Sequence, residues 1–118
     1  FILVPGGFAS RRSLDAVELF IPGEQAWKRL PALSVPTSAA GVAVAGSHLY
    51  LFGNYDDRSQ VLAYDLRTRQ TQKLKVDFKP ARHAAADALG SLLVVAGGST
   101  AETGPDRSEV QFFEVAPP

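Results

Sequence analysis

The chain has no cysteine and no methionine, and only one tryptophan and two histidines in 118 residues. Without cysteine there can be no disulfide, no thiolate nucleophile and no Cys-ligated zinc. Methionine is missing even at position 1, which suggests an excerpt or a processed product of a longer polypeptide. An excess of charge of either sign is also lacking, because 12 basic residues balance 12 acidic ones. That balance offers no broad attraction to nucleic acid or to an anionic membrane, so neither is expected as a partner. No apolar run approaches the ~20 residues of a membrane-spanning helix, and no signal peptide opens the chain. His48 and His83 have no metal-like spacing to each other or to carboxylates. The phosphate-cradling patterns GxGxxG and GxxxxGK are missing, and the single asparagine, Asn54, does not open a glycosylation pattern. No residue pattern implies a cofactor or a metal.

What the chain does have is repetition. Ile2-Leu3-Val4-Pro5-Gly6-Gly7 returns as Leu49-Tyr50-Leu51-Phe52-Gly53-Asn54 and again as Leu93-Val94-Val95-Ala96-Gly97-Gly98. The period is roughly 45 residues, in the range of architectures whose units bury their faces only by stacking on one another. After each glycine pair comes a polar loop and a second apolar run ending in an aromatic. These runs are Val17-Glu18-Leu19-Phe20, Val61-Leu62-Ala63-Tyr64 and Val110-Gln111-Phe112-Phe113. Trp27 follows Phe20 at the spacing at which Thr71 follows Tyr64. Small residues, Ser38 to Val44 and His83 to Ala88, precede the second and third glycine-ending runs. One unit therefore holds four short segments.

Those segments read as strands, being short, rich in Val, Leu, Phe and Tyr, and punctuated by Gly, Pro, Asp and Ser. Ala45-Gly46-Ser47 and Leu89-Gly90-Ser91 are short enough for tight hairpin turns. Ala81 to Ala88 has better helix than strand propensity, but its place in the repeat predicts a strand. Pro5 cannot donate a ladder hydrogen bond and is expected to shorten or bulge its strand. At Asn54 a positive φ is expected, because Asn tolerates the left-handed region better than most residues.

Four antiparallel strands at this period describe the blade of a β-propeller. The chain resembles kelch repeats, whose pattern is a glycine doublet ending the second strand, an aromatic ending the third and a Trp in the fourth. Gly6-Gly7, Gly53-Asn54 and Gly97-Gly98 stand at the doublet. Phe20, Tyr64 and Phe113 stand at the aromatic, and Trp27 at the fourth strand; Leu14-Asp15-Ala16-Val17-Glu18 looks like the family's usual lead-in to strand three. Asn54 and Thr71 depart from the pattern. The resemblance implies an all-β segment of one kelch propeller domain, with a partial blade at residues 1–33, a complete one at 36–76 and a further partial one at 81–118. Propellers typically hold about four to eight blades, so the remaining ones are expected from the same longer chain or from another copy.

Candidate chemistry is sparse. Gly97-Gly98-Ser99-Thr100-Ala101 has a glycine-flanked serine but lacks the closing glycine of a nucleophile elbow. Asn54-Tyr55-Asp56-Asp57 lacks the alternating ligands of a calcium loop. Arg67, Arg69, Lys73, Lys75, Lys79 and Arg82 form a basic run, read as a solvated hairpin whose lysines protect an outer edge strand. Arg11-Arg12-Ser13 matches a basic phosphorylation pattern.

Loop length singles out one face. Alternating strand directions bring the second-to-third-strand loops and the inter-blade loops to the same end, and long loops on a rigid scaffold usually carry binding groups. That face offers Arg11, Arg12, Tyr55, Asp56, Asp57, Arg58, Arg82, Glu102, Asp106 and Arg107. Kelch propellers of the ubiquitin-ligase adaptor type bind peptides on the corresponding face, through Arg and Ser side chains at the start of the first strand. The resemblance carries those positions to Arg82 and His83 in one blade and to Thr37 and Ser38 in another. The expected function is thus a non-catalytic scaffold that binds a protein or peptide through Arg11, Arg12, Thr37, Ser38, Tyr55, Arg58, Arg82 and His83. Two alternatives are a structural segment of a larger assembly and part of a sugar-processing kelch enzyme such as a sialic acid mutarotase, to which Arg82 or Glu102 would contribute.

Overall fold

All of the apolar runs form strands in the computed structural model, which describes residues 1–100 and 104–115. In chain order the first are β1 (Ile2–Pro5), β2 (Phe8–Ala9), β3 (Arg12–Ser13), β4 (Val17–Ile21) and β5 (Ala26–Leu30). Then come β6 (Gly41–Ala45), β7 (His48–Phe52), β8 (Val61–Asp65) and β9 (Thr71–Lys73). The last are β10 (Ala85–Leu89), β11 (Leu92–Ala96) and β12 (Val110–Glu114). Among the described residues there is no helix, and the chain is all-β, as expected of an incomplete propeller segment.

Three antiparallel meanders follow one another. Their strand orders are β1-β4-β5, β6-β7-β8-β9 and β10-β11-β12, with β2 and β3 forming a separate small hairpin. Register repeats between them: Phe20 pairs with Trp27 in the first sheet as Tyr64 pairs with Thr71 in the second. The inner hairpins of the second and third sheets close with two-residue Gly-Ser turns, where Ala45 pairs with His48 and Leu89 with Leu92. Gly46 and Gly90 have positive φ and the serines do not, the pattern of a type II′ turn. Ala85–Leu89 is a strand despite its alanines, because pairing with β11 outweighs a helix propensity of a few tenths of a kcal/mol per residue. Pro5 is the last residue of β1 and still lies opposite Val17.

The sheets stack face to face. Leu49, Leu51, Leu62 and Tyr64 of the second sheet pack with Val17 of the first and with Leu33 of the connecting segment. On the other side Tyr50, Phe52, Val61 and Ala63 pack against Leu93 and Val95 of the third sheet, with Phe78 between. Alternate residues of the same strands thus serve opposite interfaces, as a period of two requires. Burial of each such large apolar side chain contributes ~1.5–3 kcal/mol. The inner strands β6 and β10 come closest, for a Cβ on Gly41 would lie 3.0 Å from the Ala84 carbonyl and 3.2 Å from the Ala86 Cβ. The outer faces of the two end sheets are uncovered. Ile2 and Trp27 are exposed on one, and Leu89, Val110 and Phe112 on the other.

Asn54 differs from the expectation. It is not among the residues with positive φ, so it does not imitate the second glycine of a doublet. Its side chain acts instead, and only 1% of the residue is exposed. Oδ1 accepts the Ser38 N–H at 3.1 Å, and Nδ2 donates to the Pro36 carbonyl at 3.0 Å. A polar side chain thus fastens the connecting segment that leads into β6.

Candidate functional site

Glycine geometry places the loops. The first glycine of each pair donates its N–H to the residue just before the third strand: Gly6 to Ala16, Gly53 to Gln60 and Gly97 to Glu109. Each long loop is therefore closed at its base by the same backbone bond. Gly6 and Gly53 also have a carbonyl of the next connecting segment against them, from Thr37 and Ala81 respectively, where no Cβ would fit.

Above these closures the three sheets contribute to one cluster. Tyr55 follows Asn54, and its N–H donates to the Ser38 carbonyl at 2.9 Å. One face of its ring is covered by the Arg82 guanidinium, 4.0 Å from the centroid. Phe8 lies 6.1 Å from the Tyr55 ring and His83 lies 6.5 Å from it, edge-on. Arg82 is only 4% exposed, whereas Phe8 and Tyr55 are 59% and 42% exposed. The cation is thus beneath the surface and the rings are upon it. Among the described residues the Arg82 side chain has no acidic partner, and its guanidinium stacks on the Tyr55 ring; desolvated cation–π pairs contribute ~2 kcal/mol.

A hydroxyl relay supports this layer. Ser13 donates to Asp56 Oδ2 at 2.7 Å, and its oxygen lies 2.8 Å from the Ser38 hydroxyl. Since the one Ser13 proton goes to Asp56, Ser38 is the donor in the second bond. The relay ties the β2–β3 hairpin of the first blade to the loop of the second. Thr37 is 1% exposed; it donates to the Val35 carbonyl and accepts from Gln60 Nε2.

The expected binding residues therefore separate into two groups. Ser38, Tyr55, Arg82 and His83 come together, with Tyr55 and His83 outermost. Thr37, Ser38 and Arg82 are buried, and Thr37 has its hydroxyl committed within the protein. Arg82 leaves the basic run in which the sequence placed it. Arg11 and Arg12 are exposed at the β2–β3 hairpin, whose turn residues Ser10 and Arg11 both have positive φ. Arg58 is half-buried, its Nε enclosed without a hydrogen-bond partner among the described residues. Ser13 is a buried relay residue and not an accessible phosphorylation site. Glu102 lies outside the described residues. Phe8 and Ser13 were not among the expected contacts; an aromatic within a polar loop is the one signal that could have pointed to Phe8.

The opposite end holds shorter turns, with Lys28 Nζ 3.5 Å from Glu24 Oε2 and His48 Nε2 3.6 Å from Asp65 Oδ2. The Asp65 carboxyl titrates below its ordinary value, first because it accepts the backbone N–H groups of Arg67 and Thr68. Burial raises the Tyr50 and Tyr64 phenols; Tyr64 donates its hydroxyl to the Pro31 carbonyl. Among the described residues no three His, Asp or Glu side chains converge to hold a metal ion.

No protein-family model matches the sequence. Over 48 residues the chain is 40% identical to Kelch-like protein 1 of Mus musculus. That stretch covers 41% of this chain and 6% of the mouse protein, so the chain spans a small fraction of the relative's length. Together with the antiparallel meanders, the similarity is compatible with a kelch fragment.

Proposed function

We propose that this chain is part of a non-catalytic interaction scaffold whose long-loop face binds a peptide or a partner protein. The observation that carries the reading is the cluster of Phe8, Tyr55, Arg82 and His83, built by three successive sheets and held by hydrogen bonds from below. Tyr and Arg dominate binding hot spots because they supply large contact area at low entropic cost. The buried Thr37, Ser38 and Asn54 side chains of the site are occupied in holding the loops, an arrangement that suits a preformed surface better than a reaction centre. Likeness to a kelch-like protein supports protein partners in general.

In this reading Tyr55 and His83 meet the partner with Arg11 and Arg12, while Thr37, Ser38 and Arg82 hold them in place. Arg58 stands at the edge of the contact. A photo-crosslinking amino acid placed at Phe8 or at Arg67 of the full polypeptide tests the face directly. The expected result is a protein adduct from position 8, lost on Tyr55→Ala with His83→Ala, and none from position 67 on the short-turn end. Adducts from position 67 alone, or equally from both, would overturn the reading.

A second reading, a structural segment of a larger body, draws on the open apolar faces with Ile2 and Trp27 at one end and Leu89 and Phe112 at the other. Both readings hold together if those faces seat further blades and the loops remain free.

A further inference from the structure

Phe8, Tyr55 and His83 are successive neighbouring rings on the long-loop face, Phe8 and His83 each beside Tyr55. Phe8 belongs to the loop of the first sheet, Tyr55 to that of the second, and His83 to the segment leading into the third. Successive centroids are 6.1 and 6.5 Å apart. An extended chain advances ~3.3 Å per residue, so side chains on one of its sides recur every ~6.6 Å. The ring spacing matches that recurrence and not the ~9 Å repeat of a polyproline helix.

The chemistry of the trio is narrower than that of a general aromatic surface. The cation-attracting quadrupole of Tyr55 is already engaged by Arg82 on its inner face, so a second cation above the ring would meet a weakened attraction and a like charge below. A carboxylate would find no exposed cation at the centre of the trio, because Arg82 is 4% exposed. Over Tyr55 uncharged side chains remain, while the exposed cations Arg11 and Arg12 stand on the Phe8 hairpin. The trio is also set in advance: Tyr55 is fixed by the Arg82 stack, His83 donates its N–H to the Ala39 carbonyl at 2.8 Å, and the Phe8 hairpin is tied through Ser13 to Asp56. Such fixing lowers the ordering cost of binding.

We infer that the trio takes an extended segment of another polypeptide that presents aliphatic side chains at three alternate positions, one over each ring. This rests on the long-loop face being the binding face and specifies what that face selects. Because the trio crosses both blade boundaries, it exists only when the three sheets are stacked.

Fluorescence polarisation with two labelled nonapeptides of equal composition tests the inference. One carries three leucines at alternate positions in a serine–threonine background, the other three in succession. The alternating peptide is expected to bind the full polypeptide about tenfold more tightly. Tyr55→Ala should weaken it by about tenfold or more and Phe8→Ala by a lesser factor, whereas Tyr55→Phe, which keeps the ring over Arg82, should stay within about twofold. Equal binding of the two isomers, no binding by either, or indifference to Tyr55→Ala would overturn it. A crosslinked partner at position 8 together with any of these results would leave the binding face standing and remove only the aliphatic spacing.

Discussion

Replacing Gly53 by alanine separates two costs that a glycine in a repeat can hide. Gly53 has φ +81°, and Gly46, in the turn between β6 and β7, has φ +59°. An L-residue in this region costs ~1–2 kcal/mol at either position. Their surroundings differ. Around Gly46 nothing lies within 4 Å of the new methyl, whereas at Gly53 the Ala81 carbonyl already occupies its place. That carbonyl belongs to the segment leading into the third sheet and is backbone, so it cannot swing aside as a side-chain tip would. Forced overpacking adds ~1–3 kcal/mol, giving about 2–5 kcal/mol for Gly53→Ala against about 1–2 kcal/mol for Gly46→Ala. Urea denaturation of the full polypeptide, followed by far-ultraviolet circular dichroism, reads the difference as a lower midpoint at unchanged slope. Equal losses at the two positions would show that the glycine serves its own φ alone and would refute the close blade-to-blade approach.

Two further outcomes follow from other residues. Asn54→Ala removes both bonds to the Pro36–Ser38 segment and leaves buried groups unpaired, at a cost of about 2–3 kcal/mol; Asn54→Gly should be no better, since the backbone there does not need a positive φ, and a midpoint for glycine well above that for alanine would count against the side-chain role. The Asp65 carboxyl titrates below its ordinary 3.8 in the folded chain. It therefore adds stability above that value and loses it as pH falls through the lower folded one. Midpoints measured from about pH 5 down should fall less steeply for Asp65→Asn than for the wild type, and parallel curves would contradict this.

The parts of the fold that repeat could be read before the structure, because each leaves a periodic mark. Glycine pairs, aromatic-ended runs and two-residue Gly-Ser turns all recur, and the repeat rightly overrode the helix propensity of Ala81 to Ala88 from Ala85 onward, while 81–84 precede the strand. Features that occur once left no such mark. The β2–β3 hairpin has arms of two residues and turns at Ser10-Arg11, without the Asn-Gly or Asp-Gly that announces such a turn. Asn54 was read through its backbone tolerance, although its hydrogen-bonding side chain is what the fold uses. Arg82 stood in the sequence both as one of six charges in a basic run and as a residue of the long-loop face, but nothing there showed that it would be buried. Its burial depends on Tyr55, which is remote in sequence and is brought there by stacking of the second sheet on the third. Thr37 shows the same limit, for nothing local reveals that Gln60 will meet its hydroxyl.

The close approach of β6 and β10 has a consequence at the far end of the strands. Gly41, Ala43 and Ala45 face a neighbour carrying Ala84, Ala86 and Ala88, whereas farther out the gap is filled by Tyr50, Phe52 and Phe113. This interface is a wedge, thin inside and thick outside, and its angle is a gradient of side-chain volume. Adding methyl groups at Ala43 or Ala86 would flatten that wedge and turn neighbouring blades toward parallel. The loops ride on the blades, so the curvature set by a few methyl groups near the centre also sets how far apart Phe8, Tyr55 and His83 stand.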